Sequence, residues 1–361
     1  MLCVIGLVLA SQSVVLGASE PTGITVTDAL GRKIDIRLPL ERIVTVNTSA
    51  AIILRELGVD VANKVVGVTD YIPLNPLFWP QLKDKPVIAY KNPNYERLAE
   101  LNPQLVLFYE TSRRFTQEEK LETLGIKWLY LDCFNPQTLA GDVRLLGTLF
   151  DKKQAAEKLI AWITRHDCLI ESRLKGVPVS QRPKVLFLQY PDVHLSKGIY
   201  NTINRQASSH PMVTKAGGDN LAADLLTQSA TVNAEWVAEK NPDVIIAGVL
   251  GKSFSGYNAK TEISQHNLSS MADQLAKDRA LKGTDAVQKN RLLILSHDIM
   301  QGPSYVVGLA YIAKFLYPER FRDINPESIA KNYYETWCGL PYRGIFAYLA
   351  TKDIGNANAS K

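Results

Sequence analysis

Residues 94–107 read NYERLAELNPQLVL, and residues 233–246 read NAEWVAEKNPDVII. The two align without a gap as N-x-E-x-[LV]-A-E-x-N-P-[QD]-[LV]-[VI]-[LI], with small adjustments. Each unit reads as a short helix, a turn at Asn102-Pro103 or Asn241-Pro242, and a buried strand. The residue before a proline is disfavoured in helix, so each Asn-Pro ends the helix and opens the turn. A helix–turn–strand unit that occurs twice predicts two lobes of like architecture.

The surrounding sequence extends that pattern. Apolar runs stand at Ile43–Val46, Val65–Val68, Leu105–Phe108 and Trp128–Leu131, and again at Lys184–Leu188, Val244–Ala247 and Leu292–Leu295. Near-continuous apolarity is expected of strands covered on both faces, as in a parallel sheet. Helical stretches such as Ala50–Leu57 and Tyr305–Leu316 separate them, so the fold class is α/β, twice over. Ile24–Thr27 and Lys33–Ile36 flank Ala29-Leu30-Gly31-Arg32 and read as a hairpin. Between the two halves, Ala155, Leu159, Trp162, Ile163, His166, Leu169, Ile170 and Leu174 recur at helical spacing. Asp151 with Gln154 predicts a capped start, Gly176 fits the position after the helix, and Pro178 forbids its continuation. A helix over Lys152–Lys175 would be about 36 Å long, enough to run along two small lobes.

The chain therefore divides into an N-terminal α/β lobe (19–150), a bridging helix (151–176), a C-terminal α/β lobe (177–350) and a polar, frayed tail (351–361). The uncharged, apolar stretch Met1–Ala18 reads as a secretory signal with cleavage near Ala18 or Ser19. It is broken by Ser11-Gln12-Ser13 and too short to anchor the chain across a bilayer. Cys133, Cys168 and Cys338 then remain. They lack CxxC spacing, which argues against structural zinc, and one disulfide or three buried thiols are both open. A net charge of +5 spread among mixed Lys, Arg, Asp and Glu shows no nucleic-acid surface.

These fragments resemble the periplasmic binding proteins for vitamin B12, ferric siderophores and heme, which have two Rossmann-like lobes joined by one long helix. The resemblance includes Asp28–Arg32, Arg42–Val46, Glu56–Val59, Val65–Val68, Ala216–Ala222, Asp285–Leu292 and both repeated units. It implies an exported receptor, periplasmic or on the cell surface and monomeric. That receptor has an inter-lobe cleft and little hinge motion, and it delivers a metal chelate to the permease dimer and ATPase of an ABC importer. It further implies that Glu96 and Glu235, at matching places in the repeat, protrude and pair with permease arginines.

In open α/β sheets, ligands sit at the carboxyl ends of the strands. That rule and the resemblance select Asn47, Thr48 and Ser49, whose backbone N–H groups stand at a helix start. They also select Asp70, Tyr71, Tyr109, Arg113 and Arg114 in the first half. In the second half they select Tyr190, His194, Lys197, Tyr200, His297, Asp298 and Met300. Aromatic faces and cationic side chains suit a large chelate with carboxylate or catecholate charge, so the expected cargo is an Fe(III)-siderophore or a corrinoid, with no intrinsic cofactor. Of Arg113 and Arg114, one is expected to face solvent. The five histidines do not form the three-histidine and carboxylate set of bare-metal receptors. Heme with an axial Tyr or His is an alternative, and so is a metalloenzyme on a nitrogenase- or chelatase-like fold. Against the enzyme, GxSxG, P-loop, HExxH and paired CxxC motifs are all missing.

Overall fold

The computed structural model describes residues 22–195, 199–250 and 256–350. The expected signal segment, the tail 351–361 and Lys197 lie outside the described residues. Thirteen strands are placed: β1 (Thr22–Thr27), β2 (Lys33–Leu38), β3 (Ile43–Thr45), β4 (Val65–Val68), β5 (Leu105–Tyr109), β6 (Lys127–Leu131), β7 (Lys184–Gln189), β8 (Tyr200–Ile203), β9 (Asp219–Asn220), β10 (Ser229–Val232), β11 (Val244–Val249), β12 (Leu292–Ser296) and β13 (Ala347–Ala350).

The first main sheet has the order β4-β3-β5-β6 and is parallel throughout. The second has the order β13-β12-β11-β7-β9, parallel except for the antiparallel edge strand β13. β1 and β2 form the expected antiparallel hairpin. The sequence echo is a structural repeat. Tyr95–Leu101 and Ala234–Lys240 are helices capped by Asn94 and Asn233, whose side chains accept from the N–H groups of Arg97 and Trp236, both at 2.9 Å. Each ends on an asparagine in the left-handed region, Asn102 at φ 42° and Asn241 at φ 39°, a conformation asparagine tolerates better than most residues.

The long helix spans Lys153–Leu174, and Gly176 follows it at φ 82°. Its start differs from expectation. Asp151 is not a helix cap but sits at φ 52°, and the first turn has no side-chain cap. The preceding helix, Leu139–Leu149, ends only four residues earlier, so the chain reverses in one tight left-handed step that leaves no room for a capping box. The two helices cross closely at Gly147, where a side chain would stand 2.6 Å from Cβ of Ala156.

Side-chain alternation sorts the sheets into three apolar clusters. Val44, Val106 and Phe108 pack on the outer face of the first sheet. Leu186, Ile245 and Ile294 do so on the outer face of the second. The inner faces do not form separate cores. Ile43, Leu105 and Leu129 from one sheet, Phe187, Ile246 and Leu293 from the other, and Leu159, Ile163 and Ile170 of the bridging helix belong to one continuous buried cluster. Exposing any one of these side chains costs about 1.5–3 kcal/mol, so large separation of the two sheets is disfavoured.

Polar contacts reinforce the junction. Asn258 donates to Asn75 Oδ1 (2.9 Å) and accepts from the N–H groups of Leu77 (3.1 Å) and Phe78 (3.3 Å). Tyr333 donates to Glu56 Oε1 at 2.6 Å. Glu56 is buried, its other oxygen has no partner, and burial pushes its carboxyl up to about 8 despite the opposing Tyr333 hydrogen bond and nearby Arg55. The native state therefore holds a proton that the unfolded chain, with an ordinary value of 4.5, has released. Stability contributed by neutral Glu56 should fall as pH rises from 4.5 through about 8, by at most ~1.4 kcal/mol per pH unit. Urea unfolding of Glu56→Gln, which keeps an acceptor for Tyr333, should show a flatter profile across that window; an unchanged slope would mean that Glu56 is ionised in the fold.

Candidate functional site

The carboxyl ends of both parallel sheets supply the candidate cleft, and its first wall starts from Asn47. Asn47 is fully buried; its amide donates to the carbonyls of Leu131 (3.0 Å) and Phe108 (3.4 Å) and accepts from Ala50 N–H (2.9 Å). It ties three strand ends together and caps the helix Thr48–Glu56. The N–H of Ser49 points to the hydroxyl of Tyr109 at 3.3 Å. The open N–H groups expected at this helix start are thus taken up within the protein at Ser49 and Ala50.

Above that base stands an aromatic wall. Tyr90 meets Tyr71, Tyr109 and Phe115 with ring centroids 6.3, 5.7 and 5.9 Å apart, and Tyr109 meets Phe134 at 6.0 Å. Asp70 is exposed and orients this wall, accepting from Thr69 Oγ1 (2.8 Å) and from Tyr90 N–H (3.3 Å). Arg113 and Arg114 are both exposed, where only one was expected to be. Arg113 pairs with Glu118 at 3.1 Å, and Arg114 lies over Phe115 at 4.8 Å.

Tyr190 and His297 form the opposite side. Tyr190 follows β7 at φ 53°, a strained conformation for a bulky side chain. It is held there by its N–H on Gly248 O (2.8 Å) and by its hydroxyl 3.0 Å from His297 Nε2. Burial pushes the Tyr190 phenol up to about 12, with smaller effects that include those of Tyr71 and Tyr109 acting from the first sheet. Burial also pushes the His297 imidazole down to about 4. The pair is therefore neutral near pH 7 and offers hydrogen bonding without charge.

Other expected positions fall elsewhere. His194 is half-buried on the short helix Pro191–His194. Tyr200 is buried and its hydroxyl donates to Asp278, so it braces β8 instead of facing the cleft. Met300 is also below the surface, and its methyl would lie 3.1 Å from any side chain at Gly248. Asp298 accepts from Tyr257 N–H (2.9 Å) and borders a small internal cavity with Thr48. Phe134 was legible from the strand-end rule, since it follows β6. Tyr90 and Phe115 carried no local signal. Among the described residues, no three His, Cys, Asp or Glu side chains are placed to hold a metal ion. A groove of about 960 Å³ lies away from the strand ends, along the bridging helix between Thr164 and Gly176.

Glu96 and Glu235 are exposed in the first turns of the two repeated helices and form no ion pair among the described residues. Each helix leads into a parallel strand of its sheet, so its first turn lies toward the carboxyl ends of the strands, the same end as the cleft.

Two parallel sheets joined by one helix, with a shared cleft at their carboxyl ends, define a solute receptor of the two-lobed α/β class. The chain belongs to the periplasmic binding protein family, whose model matches residues 43–298. It is 23% identical over 312 residues to an uncharacterized ABC transporter substrate-binding lipoprotein, YvrC, of Bacillus subtilis, covering 84% of this chain and 89% of that one. It is 25% identical over 188 residues to the vitamin B12-binding protein of Salmonella typhimurium, covering 52% of this chain and 66% of that one. In fold it is similar to the TroA-like periplasmic binding protein FepB of Veillonella parvula, with a TM-score of 0.74 at 22% identity, covering 91% of this chain and all of the other. It is also similar to the molybdate-bound MolA of Haemophilus influenzae, with a TM-score of 0.73 at 20% identity, covering 89% of this chain and all of the other. The protein is thus an ABC transporter substrate-binding protein, a receptor and not an enzyme.

Because burial holds His297 neutral, the unfolded chain takes up a proton between its ordinary value of 6.5 and about 4 that the native state refuses. Stability should fall as pH drops through that interval. Its imidazole NMR signals should keep their neutral positions from pH 8 down to pH 5, and His297→Gln should lose part of the acid sensitivity. Titration of the signal near 6.5 would show that the site is open to water.

Proposed function

We propose that this receptor works outside the cytoplasm, in the periplasm or at the cell surface, and captures an intact metal chelate, an iron–siderophore complex or a corrinoid. As a monomer it passes that cargo to the permease dimer and ATPase of an ABC importer. The observation that carries this reading is the wall of Tyr71, Tyr90, Tyr109, Phe115 and Phe134 facing the neutral Tyr190–His297 pair, with Arg113 and Arg114 exposed near Phe115. Ring faces suit a large, partly apolar surface, and guanidinium groups suit its peripheral carboxylates or phenolates. A bare divalent ion needs several convergent donors, and the described residues bring no three such side chains together. A small oxyanion needs free N–H groups, and those of Ser49 and Ala50 are already engaged.

Native mass spectrometry against ferric hydroxamates, ferric catecholates, heme, cobalamin, molybdate and Zn²⁺ tests the cargo. The expected result is a one-to-one complex with a ferric siderophore or cobalamin. Tyr90→Ala should weaken it roughly 3- to 10-fold, the size of one lost ring contact. Binding confined to molybdate or Zn²⁺ would overturn the reading.

Glu96 and Glu235 are the proposed contacts to the permease. Exposed ion pairs are each worth about 0–1 kcal/mol, so Glu96→Ala or Glu235→Ala alone should slow uptake by reconstituted importer modestly and the double variant much more. Cargo affinity measured without importer should not change. Normal uptake by the double variant would remove both residues from docking.

A further inference from the structure

A cavity of about 80 Å³ lies between the two halves, beneath the cleft. Thr48, Phe78 and Trp79 line it from the first half, and Asp298, Gln301 and Tyr334 from the second. It adjoins the cleft on both sides. Thr48 precedes Ser49, whose N–H meets Tyr109, and Asp298 follows His297, which meets Tyr190.

Its polar groups are under-used. Asp298 accepts one hydrogen bond, from Tyr257 N–H, and has no ion-pair partner among the described residues. Burial raises its carboxyl to about 6, so it is mostly ionised at pH 7.5, with no counter-charge among the described residues. Thr48 Oγ1 is buried, and among the described residues only the Tyr109 hydroxyl is close enough to interact with it. The Gln301 side chain makes no hydrogen bond among the described residues. The nearby cation is committed elsewhere: Arg55 donates to Gln81 Oε1 at 2.9 Å and lies over Phe78 and Trp79 at 5.1 and 4.7 Å.

The other walls are Ile52, the Asn75–Asn258 amide pair and ring systems. Phe78 stands edge-on to Trp79 and Tyr334, with centroids 4.9 and 6.3 Å away. One carboxylate with a single backbone hydrogen bond, two neutral oxygen acceptors and several aromatic rings around a small volume are what a protonated amine requires. The carboxylate takes its charge, the Thr and Gln oxygens take its N–H groups, and the ring faces stabilise its remaining cationic surface. A hydrated metal ion would find one charged donor and mostly apolar walls, a poor match.

We propose that this cavity is a subsite for a small ammonium group, with Asp298 as its anionic anchor. The group comes either from an amine-bearing arm of the chelate, a source that rests on the receptor reading above, or from a free alkylammonium ion.

The test starts without any chelate. The protein is titrated at pH 7.5 with methylammonium chloride and, at equal ionic strength, with sodium chloride, and Tm is followed. Methylammonium should raise Tm by about 2–4 °C and saturate, whereas sodium should not. Asp298→Asn, which keeps an acceptor for Tyr257, should abolish the rise. Thr48→Val, which is nearly isosteric, should move the midpoint to several-fold higher concentration. The same response to sodium, or an undiminished response in Asp298→Asn, would overturn the inference. Ferrioxamine B, a ferric trihydroxamate with a free terminal amine, and its N-acetyl derivative then separate the two sources. A preference of about tenfold for the free amine, lost in Asp298→Asn, assigns the group to the chelate. Equal affinity with the methylammonium response intact assigns it to a free cation. Should methylammonium bind and neither chelate do so, the subsite stands and the hydroxamate form of the cargo reading fails.

Discussion

The architecture depends on one continuous apolar core that does not respect the division into two halves. Here the inner faces of both sheets bury against the same set of side chains, with Leu159, Ile163 and Ile170 of the bridging helix in the middle. The geometry of the cleft follows. Separating the sheets would expose Phe187, Ile246 or Leu105 to water, which disfavours wide opening of their carboxyl ends.

The strand ends and the junction carry several unfavourable local arrangements. Tyr190 sits at a positive φ that costs free energy, and the surrounding contacts with Gly248 and His297 hold it in place. Glu56 and Asp298 are carboxyls raised by burial on opposite sides of the junction. The adjacent pair Tyr333 and Tyr334 reaches both: Tyr333 bonds Glu56, and Tyr334 lies close enough to Asp298 to be affected by its charge. Glu56 accepts from Tyr333 inside the joint, and burial keeps it neutral. Asp298 borders open space and has no such partner. That difference is why the first reads as structure and the second as recognition.

The two repeated helices show how one local motif serves both purposes. The asparagine cap and the left-handed asparagine end fix each helix against its strand. The glutamate in the first turn is favoured by the helix dipole and remains exposed. Parallel topology then carries both glutamates to the end of the molecule where the strand ends lie.

The sequence by itself determined the elements and their order. Continuous apolar runs declared buried parallel strands, the 3.6-residue spacing declared the long helix, and the two Asn-Pro units declared the repeat, because each depends on neighbours in the chain. Only the tertiary structure decided which residues face the cleft. Asn47, Tyr200 and Met300 follow or begin strands as cleft residues do, yet their side chains turn inward, to the strand-end carbonyls, to Asp278 and to the floor under Gly248. Tyr90 joins the aromatic wall from the middle of a long loop that has no periodicity to read. Asp151 looked like a helix cap, and only the closeness of the preceding helix turned it into a left-handed corner. A side chain's direction is settled by contacts with residues distant in sequence, and no local pattern records those.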